Sequence, residues 1–192
     1  MGRKAKYHRS ECIEKAMHLF WSRGFSGTST RDLGECLDLK PGSLYATFGS
    51  KEGLYSEVLR HYAEVSSATL DECFREASDF QQGLSAFFDR VLASQSTSSS
   101  CLLAKTLANG EPELQKLRKE AHELMKRFED RLTQILRPFY PDHSQARLER
   151  VARFIQVQVM GLRNYSGVSP SSDTTAALIK DVQASIDRLL RD

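Results

Sequence analysis

The chain of 192 residues holds few of the groups that announce a particular chemistry. Its four cysteines, Cys12, Cys36, Cys73 and Cys101, lie far apart and form no C-x-x-C pair. That spacing argues against a zinc site and a secreted disulfide framework, and it fits a reduced, cytoplasmic compartment. No apolar run approaches the roughly 18 residues that span a membrane, and no hydrophobic signal core follows the basic start, so no membrane partner is expected. Strand-type alternation bounded by hairpin signals is missing. Net charge is only +2, which gives no global polycationic signal. There is no H-E-x-x-H and no phosphate loop, and Gly24-Phe25-Ser26-Gly27 has the wrong spacing for G-x-S-x-G. The histidines, at 8, 18, 61, 122 and 143, are scattered. These gaps argue against an enzyme and leave no cofactor or metal ligand set to name.

What remains is helical periodicity from end to end, which predicts an all-α chain of about nine helices. Ser10 is placed to cap a first helix carrying Ile13, Ala16, Met17 and Phe20, with Gly24 ending it. A long helix opens at Lys51 behind a Ser50 cap, with Leu54, Val58, Tyr62 and Val65 on one stripe, and reaches to about Phe74. Ser78-Asp79 and Gly83 interrupt it. A fifth helix holds Leu84, Phe87, Phe88, Val91 and Leu92 and runs into a serine-rich loop at 94–100. A short helix from Cys101 stops at Asn109-Gly110. The clearest helix follows Pro112, with Leu114, Leu117, Ala121, Leu124, Phe128, Leu132 and Ile135 in step, and is expected to stop before Pro138. The next spans about 144–165. Its second half, Phe154 to Leu162, is apolar nearly all round, which means burial on more than one side. Gly167 and Pro170 mark a loop before a last helix at 172–191.

Residues 29–48 are the organising unit. Ser29 with Asp32 is a capping pair, and Leu33, Cys36 and Leu37 share one apolar face. Asp38 breaks the pattern and Pro41 opens a second short helix, in which Leu44 and Phe48 point inward. Helices this short do not stand alone. A helix-turn-helix that inserts its second helix into the DNA major groove gives them both a support and a use. Charge agrees locally: residues 1–62 carry net +3 and the remainder net −1, and Arg3, Lys4, Lys6 and Arg9 form a basic start without an acid. Such an arm is either a solvated, frayed terminus or one that reaches phosphates or the minor groove.

Laid out in this order, the chain resembles the TetR family of bacterial transcriptional regulators. Ala16-Met17-His18-Leu19-Phe20, Gly24-Phe25, Thr28-Ser29, Asp32-Leu33, Pro41-Gly42-Ser43-Leu44-Tyr45, Phe48 and Ser50-Lys51-Glu52-Gly53-Leu54 carry the resemblance, over roughly residues 8–60. It implies a helix-turn-helix head at 6–66, a regulatory and dimerisation domain at 67–192, and a homodimer paired through the last two helices. It further implies a repressor released from a palindromic double-stranded operator by a small effector or by cysteine modification. The positions matching the family's DNA contacts are Thr30, Arg31, Lys40, Gly42, Ser43, Tyr45, Ala46, Thr47 and Lys51. Two of them have a plainer alternative: Tyr45 as a half-buried packing residue, and Arg31 as the partner of Glu35. The sequence departs from the family at Asp38, where Gly is usual, at Gly34, where Ala is usual, and at Lys40, where a capping Ser or Thr is common.

In the second half, Ser100-Cys101-Leu102-Leu103 looks like the Gly-Cys-Leu motif of a TetR branch that senses electrophiles or oxidants, with Ser in place of Gly. Cys101 stands at a predicted helix start, where the helix dipole favours an anion, and Lys105 follows one turn on. The plainer alternative makes Cys101 a small buried hydrophobe. An effector pocket is expected among the fifth to eighth helices, lined by some of Phe87, Phe88, Leu103, Met125, Phe128, Phe154 and Tyr165. The rival to a regulator is a helical protein-interaction module whose DNA binding is vestigial.

Overall fold

The computed structural model describes residues 9–93, 100–166 and 172–191. Among these there are nine α-helices and no strand: α1 (Arg9–Arg23), α2 (Thr30–Leu37), α3 (Pro41–Phe48), α4 (Lys51–Arg75), α5 (Phe80–Ala93), α6 (Leu102–Ala108), α7 (Gln115–Phe139), α8 (Gln145–Ser166) and α9 (Ser172–Arg191). A 3-10 turn, Pro112–Leu114, leads into α7. The loops expected at 94–99 and 167–171 lie outside the described residues, as do Arg3, Lys4 and Lys6 of the basic start.

Several boundaries differ from the sequence expectation. Ser10 lies inside α1, which opens one residue earlier. Gly83 does not interrupt the chain. It sits within α5, where a Cβ would run into the Phe74 ring. The break falls at Asp79, whose carboxylate accepts the Gln82 amide at 2.8 Å, while the Ser78 amide donates to Gln82 Oε1 at 2.7 Å. Pro138 lies inside α7 rather than beyond it. It is exposed and in the last turn, so it costs one intrahelical bond where the helix is ending anyway. Val65 is 47% exposed, because the inward stripe of α4 passes from Tyr62 to Leu70.

Two apolar clusters hold the helices together. The first joins α1 to α4 through Phe20, Leu33, Leu44 and Leu54, and continues into α6, the 3-10 turn and the first half of α7 through Leu102, Leu114 and Leu117. Phe20 and Tyr55 meet edge to face at 4.8 Å within it. The second joins α5, the rest of α7, α8 and α9 through Phe87, Phe88, Leu132, Ile155 and Ile186. Each such side chain, fully buried, contributes roughly 1.5–3 kcal/mol. α4 belongs to both clusters, with Leu54 in one and Leu70 in the other.

Candidate nucleic-acid interface and regulatory cavity

The turn between α2 and α3 is built from local chemistry. Ser29 Oγ accepts the Asp32 amide at 3.1 Å, and Asp32 Oδ2 accepts the Ser29 amide at 2.8 Å, a reciprocal cap. The Ser29 hydroxyl and amide bonds hold the Asp32 carboxyl below its ordinary value. α2 ends at Asp38, in the left-handed conformation with φ 52° and ψ 43°. A Cβ on Gly34 would stand 3.0 Å from the Leu39 carbonyl oxygen, which explains a small residue there. α3 then opens at Lys40, which gives no side-chain cap, with Pro41 at its first position.

α3 has two faces. Leu44 and Phe48 are buried. Lys40, Gly42, Ser43, Tyr45 and Ala46 are exposed, and Thr47 is half-buried. Tyr45 is 47% exposed, so it stands outward rather than as a packing residue. The Thr47 hydroxyl donates to the Ser43 carbonyl at 2.7 Å. α3 carries no acidic residue. A Cβ at Gly42 meets nothing within 4 Å, so packing inside the chain does not account for that glycine.

The remaining candidates lie around this face with partners of their own. Thr30 is half-buried at the start of α2. Arg31 pairs with Glu35 at 2.9 Å, the alternative seen in the sequence. Both are largely exposed, and a pair of that kind is weak enough to exchange for another anion. Lys51 rests its ammonium 4.1 Å from the Phe25 ring centre, and burial lowers its pKa. Arg9 turns inward as a strut: Nη1 donates to the Thr47 carbonyl at 3.1 Å, Nε to Glu57 at 3.2 Å, and the guanidinium covers Phe48. It fastens the end of α3 to α4.

The second site is a cavity of about 250 Å³. Of the expected lining, Phe87, Leu103, Met125 and Phe128 are on its wall. Phe88 is buried in the second cluster, Phe154 is half-buried and Tyr165 is 43% exposed, all away from it. The sequence reading missed Trp21, Tyr62 and Arg163, which also line it. The signals were the single tryptophan and an arginine that directly follows the apolar 154–162 stretch. Arg163 is 6% exposed. Its guanidinium lies 5.1 Å from the Trp21 ring centre, and Nη1 is 3.4 Å from the Tyr62 hydroxyl. Cys101 is half-buried on the same wall beside Tyr62. Burial pushes the Tyr62 hydroxyl far above the usual phenol range. Lys105 does not stand beside the thiol: its ammonium donates to the Trp21 carbonyl at 2.8 Å, near the end of α1. The Trp21 indole donates back to the Ser100 carbonyl at 2.6 Å.

α8 buries Val151, Ile155, Val159 and Leu162, yet Val157 is 52% exposed. Within one chain, therefore, the apolar stretch is covered on only part of its circumference.

Residues 13–58 match the family model described as bacterial regulatory proteins, tetR family. The repressor ComR of Escherichia coli is 31% identical over 116 residues, which is 58% of this chain and 55% of ComR. That match thus spans about half of the relative's length. The HTH-type regulator YezE of Bacillus subtilis is 24% identical over 192 residues, covering 98% of this chain and 94% of YezE. Among solved structures, a cysteine mutant of the TetR family regulator CifR, complexed with 26 bp double-strand operator DNA, superposes with a TM-score of 0.78 at 25% identity. The superposition covers 98% of both chains.

Proposed function

The chain belongs to the TetR family of bacterial regulatory proteins, and from that premise we propose that it is a sequence-specific transcriptional repressor, a cytoplasmic binding protein rather than an enzyme. It binds a palindromic operator as a homodimer and leaves it when a small effector, or modification of Cys101, acts on the cavity. The observation that carries this is the outer face of α3. It is polar, free of acids, and bears a glycine that nothing inside the chain requires.

DNA reading belongs to the head at 6–66, and regulation and pairing to 67–192. Tyr45, Lys40, Thr30 and Lys51 hold phosphates, where hydroxyl and ammonium groups position without reading. Gly42 admits the backbone close to the groove. Ser43 and Thr47 face base edges, and Ala46 meets a thymine methyl. Arg31 exchanges Glu35 for guanine or phosphate. Pairing through α8 and α9 covers Val157 and sets the two recognition helices about 34 Å apart or somewhat more. Cys101 lies on the cavity wall, which supports a thiol that reports on reactive molecules entering it.

Selection from random duplexes tests the reading. The expected result is a palindromic consensus bound with a steep salt dependence, the slope falling by about one unit in Lys40→Ala if that residue holds one phosphate. No sequence preference and no salt dependence would favour the protein-interaction module instead. Repeating the measurement after treatment with an electrophile, on the native chain and on Cys101→Ser, tests the thiol. Unchanged binding by the treated native protein removes Cys101 from the mechanism.

A further inference from the structure

The basic start of the chain ends in a residue whose charge is matched inside the fold. We propose that Arg9 is a positioning residue for operator reading and not a phosphate ligand: with Glu57 it fixes α3 against α4, so that an acidic side chain of the head strengthens DNA binding. This rests on the repressor function proposed above. The Arg9 guanidinium uses its fork, its third nitrogen and its face within the chain. Nε meets one Glu57 carboxylate oxygen at 3.2 Å and Nη2 meets the other, a bidentate pair. Nη1 donates to the Thr47 carbonyl at 3.1 Å, and the central carbon stands 4.8 Å from the Phe48 ring centre.

Each contact answers a weakness of α3. The helix has eight residues, too few to hold itself in water. Its last carbonyls need donors from outside the helix. The Gly49 amide serves Tyr45 at 2.8 Å, the Ser50 amide serves Phe48 at 2.9 Å, and Arg9 serves Thr47 between them. Gly49 and Ser50 belong to the link into α4, whereas Arg9 ties the same end from a third helix, α1. Thr47 is one of the residues proposed to face base edges, so the carbonyl that Arg9 holds belongs to the reading surface itself. Arg9 is exposed and Glu57 half-buried. A simple ion pair at such a place is weak, but a bidentate arginine joined to further contacts holds its geometry. A lysine has no fork with which to do this. A cation matched before DNA arrives displaces no counterion when the duplex binds. By the same pairing, Glu57 presents no net repulsion to phosphate.

The operator for the test is the consensus that the full-length native chain selects from random duplexes, and a shuffled duplex of equal length measures binding without reading. Arg9→Met and Glu57→Ala are each expected to weaken operator binding about tenfold, as befits loss of one charge-assisted contact. Binding to the shuffled duplex is kept, and the salt slope of Arg9→Met stays at the native value. The two losses should not add in the double variant, since each breaks the same tie. Arg9→Lys keeps the charge without the fork and should recover only part of the loss. The sign at Glu57 is the sharpest readout, because removal of an acid that merely repels DNA would tighten binding. Tighter operator binding by Glu57→Ala, a slope lowered by about 0.9 per protomer in Arg9→Met, or additive losses overturn the proposal. So does operator affinity within about twofold of native in either single variant, or an equal loss on both duplexes, which marks a general weakening of the fold. Where Arg9→Met loses its helical circular dichroism, Glu57→Ala and Arg9→Lys decide. A native chain that selects no operator refutes the repressor and this proposal together, whereas native selection with variants that behave like the native protein refutes the proposal alone.

Discussion

Asp38 and Gly53 set the geometry of the helix-turn-helix and its junction with α4, each through its backbone. Asp38 is the only non-glycine residue with positive φ among those described. Asp38→Gly is expected to stabilise the fold by less than about 1 kcal/mol, relief of strain being offset by a freer unfolded chain. Asp38→Val should cost roughly 1–2 kcal/mol, since a branched side chain is poorly tolerated there. Urea melts of the two variants check both signs. Gly53 has a different reason: a Cβ would overlap the Phe48 carbonyl oxygen where α3 meets α4. Gly53→Ala should therefore cost about 1–3 kcal/mol, as overpacking does, and weaken duplex binding by shifting α3, which a melt and a binding titration separate. The left-handed turn was legible because Asp stands where the family keeps Gly. The role of Gly53 was not, because a close approach between two backbones leaves no periodic mark in a sequence.

Among the elements, α2 depends on its cap. Ser29→Ala removes the bond to the Asp32 amide and should cost about 1 kcal/mol, a typical value for a lost N-cap. Asp32 adds a pH signature. Its folded pKa is lowered, so its contribution is complete above the ordinary carboxylate value and is lost as pH falls through the lowered one. Ser29→Ala should flatten that acid limb of the stability curve, measured by urea melts from neutral pH downward. Periodicity found all nine helices, and punctuating residues placed the end of α1, both ends of α2 and the start of α4, while Ser10 fell inside α1. It failed at Gly83 and Pro138, where a residue read as punctuation is tolerated inside a helix for reasons of tertiary contact or position. It also misjudged Phe88, Phe154 and Tyr165: aromatic spacing says that a face is apolar but not whether a cavity or a neighbouring helix lies against it. Arg163 was hidden by the same limit, since its burial is decided by tertiary contacts with Trp21 of α1 and Tyr62 of α4.

For the molecule as a whole, Val157 is the test of assembly. It is half-exposed in a helix that buries Val151, Ile155, Val159 and Leu162. Val157→Arg is expected to shift the protein from dimer to monomer in sedimentation or light scattering, with helicity retained, and to reduce operator affinity by much more than it reduces stability. A dimer unaffected by this change would place the interface elsewhere. The strut formed by Arg9 and the tight junction at Gly53 make α3 nearly one body with the near end of α4. α4 has 25 residues and so is about 37 Å long. A swing of about 5° about its far end would carry the head sideways by about 3 Å, close to the roughly 3.4 Å step from one base pair to the next. In the operator-bound dimer proposed above, whose two heads fall in register with the same duplex, α4 is a lever arm on which a displacement of a few degrees amounts to a miscount of one base pair.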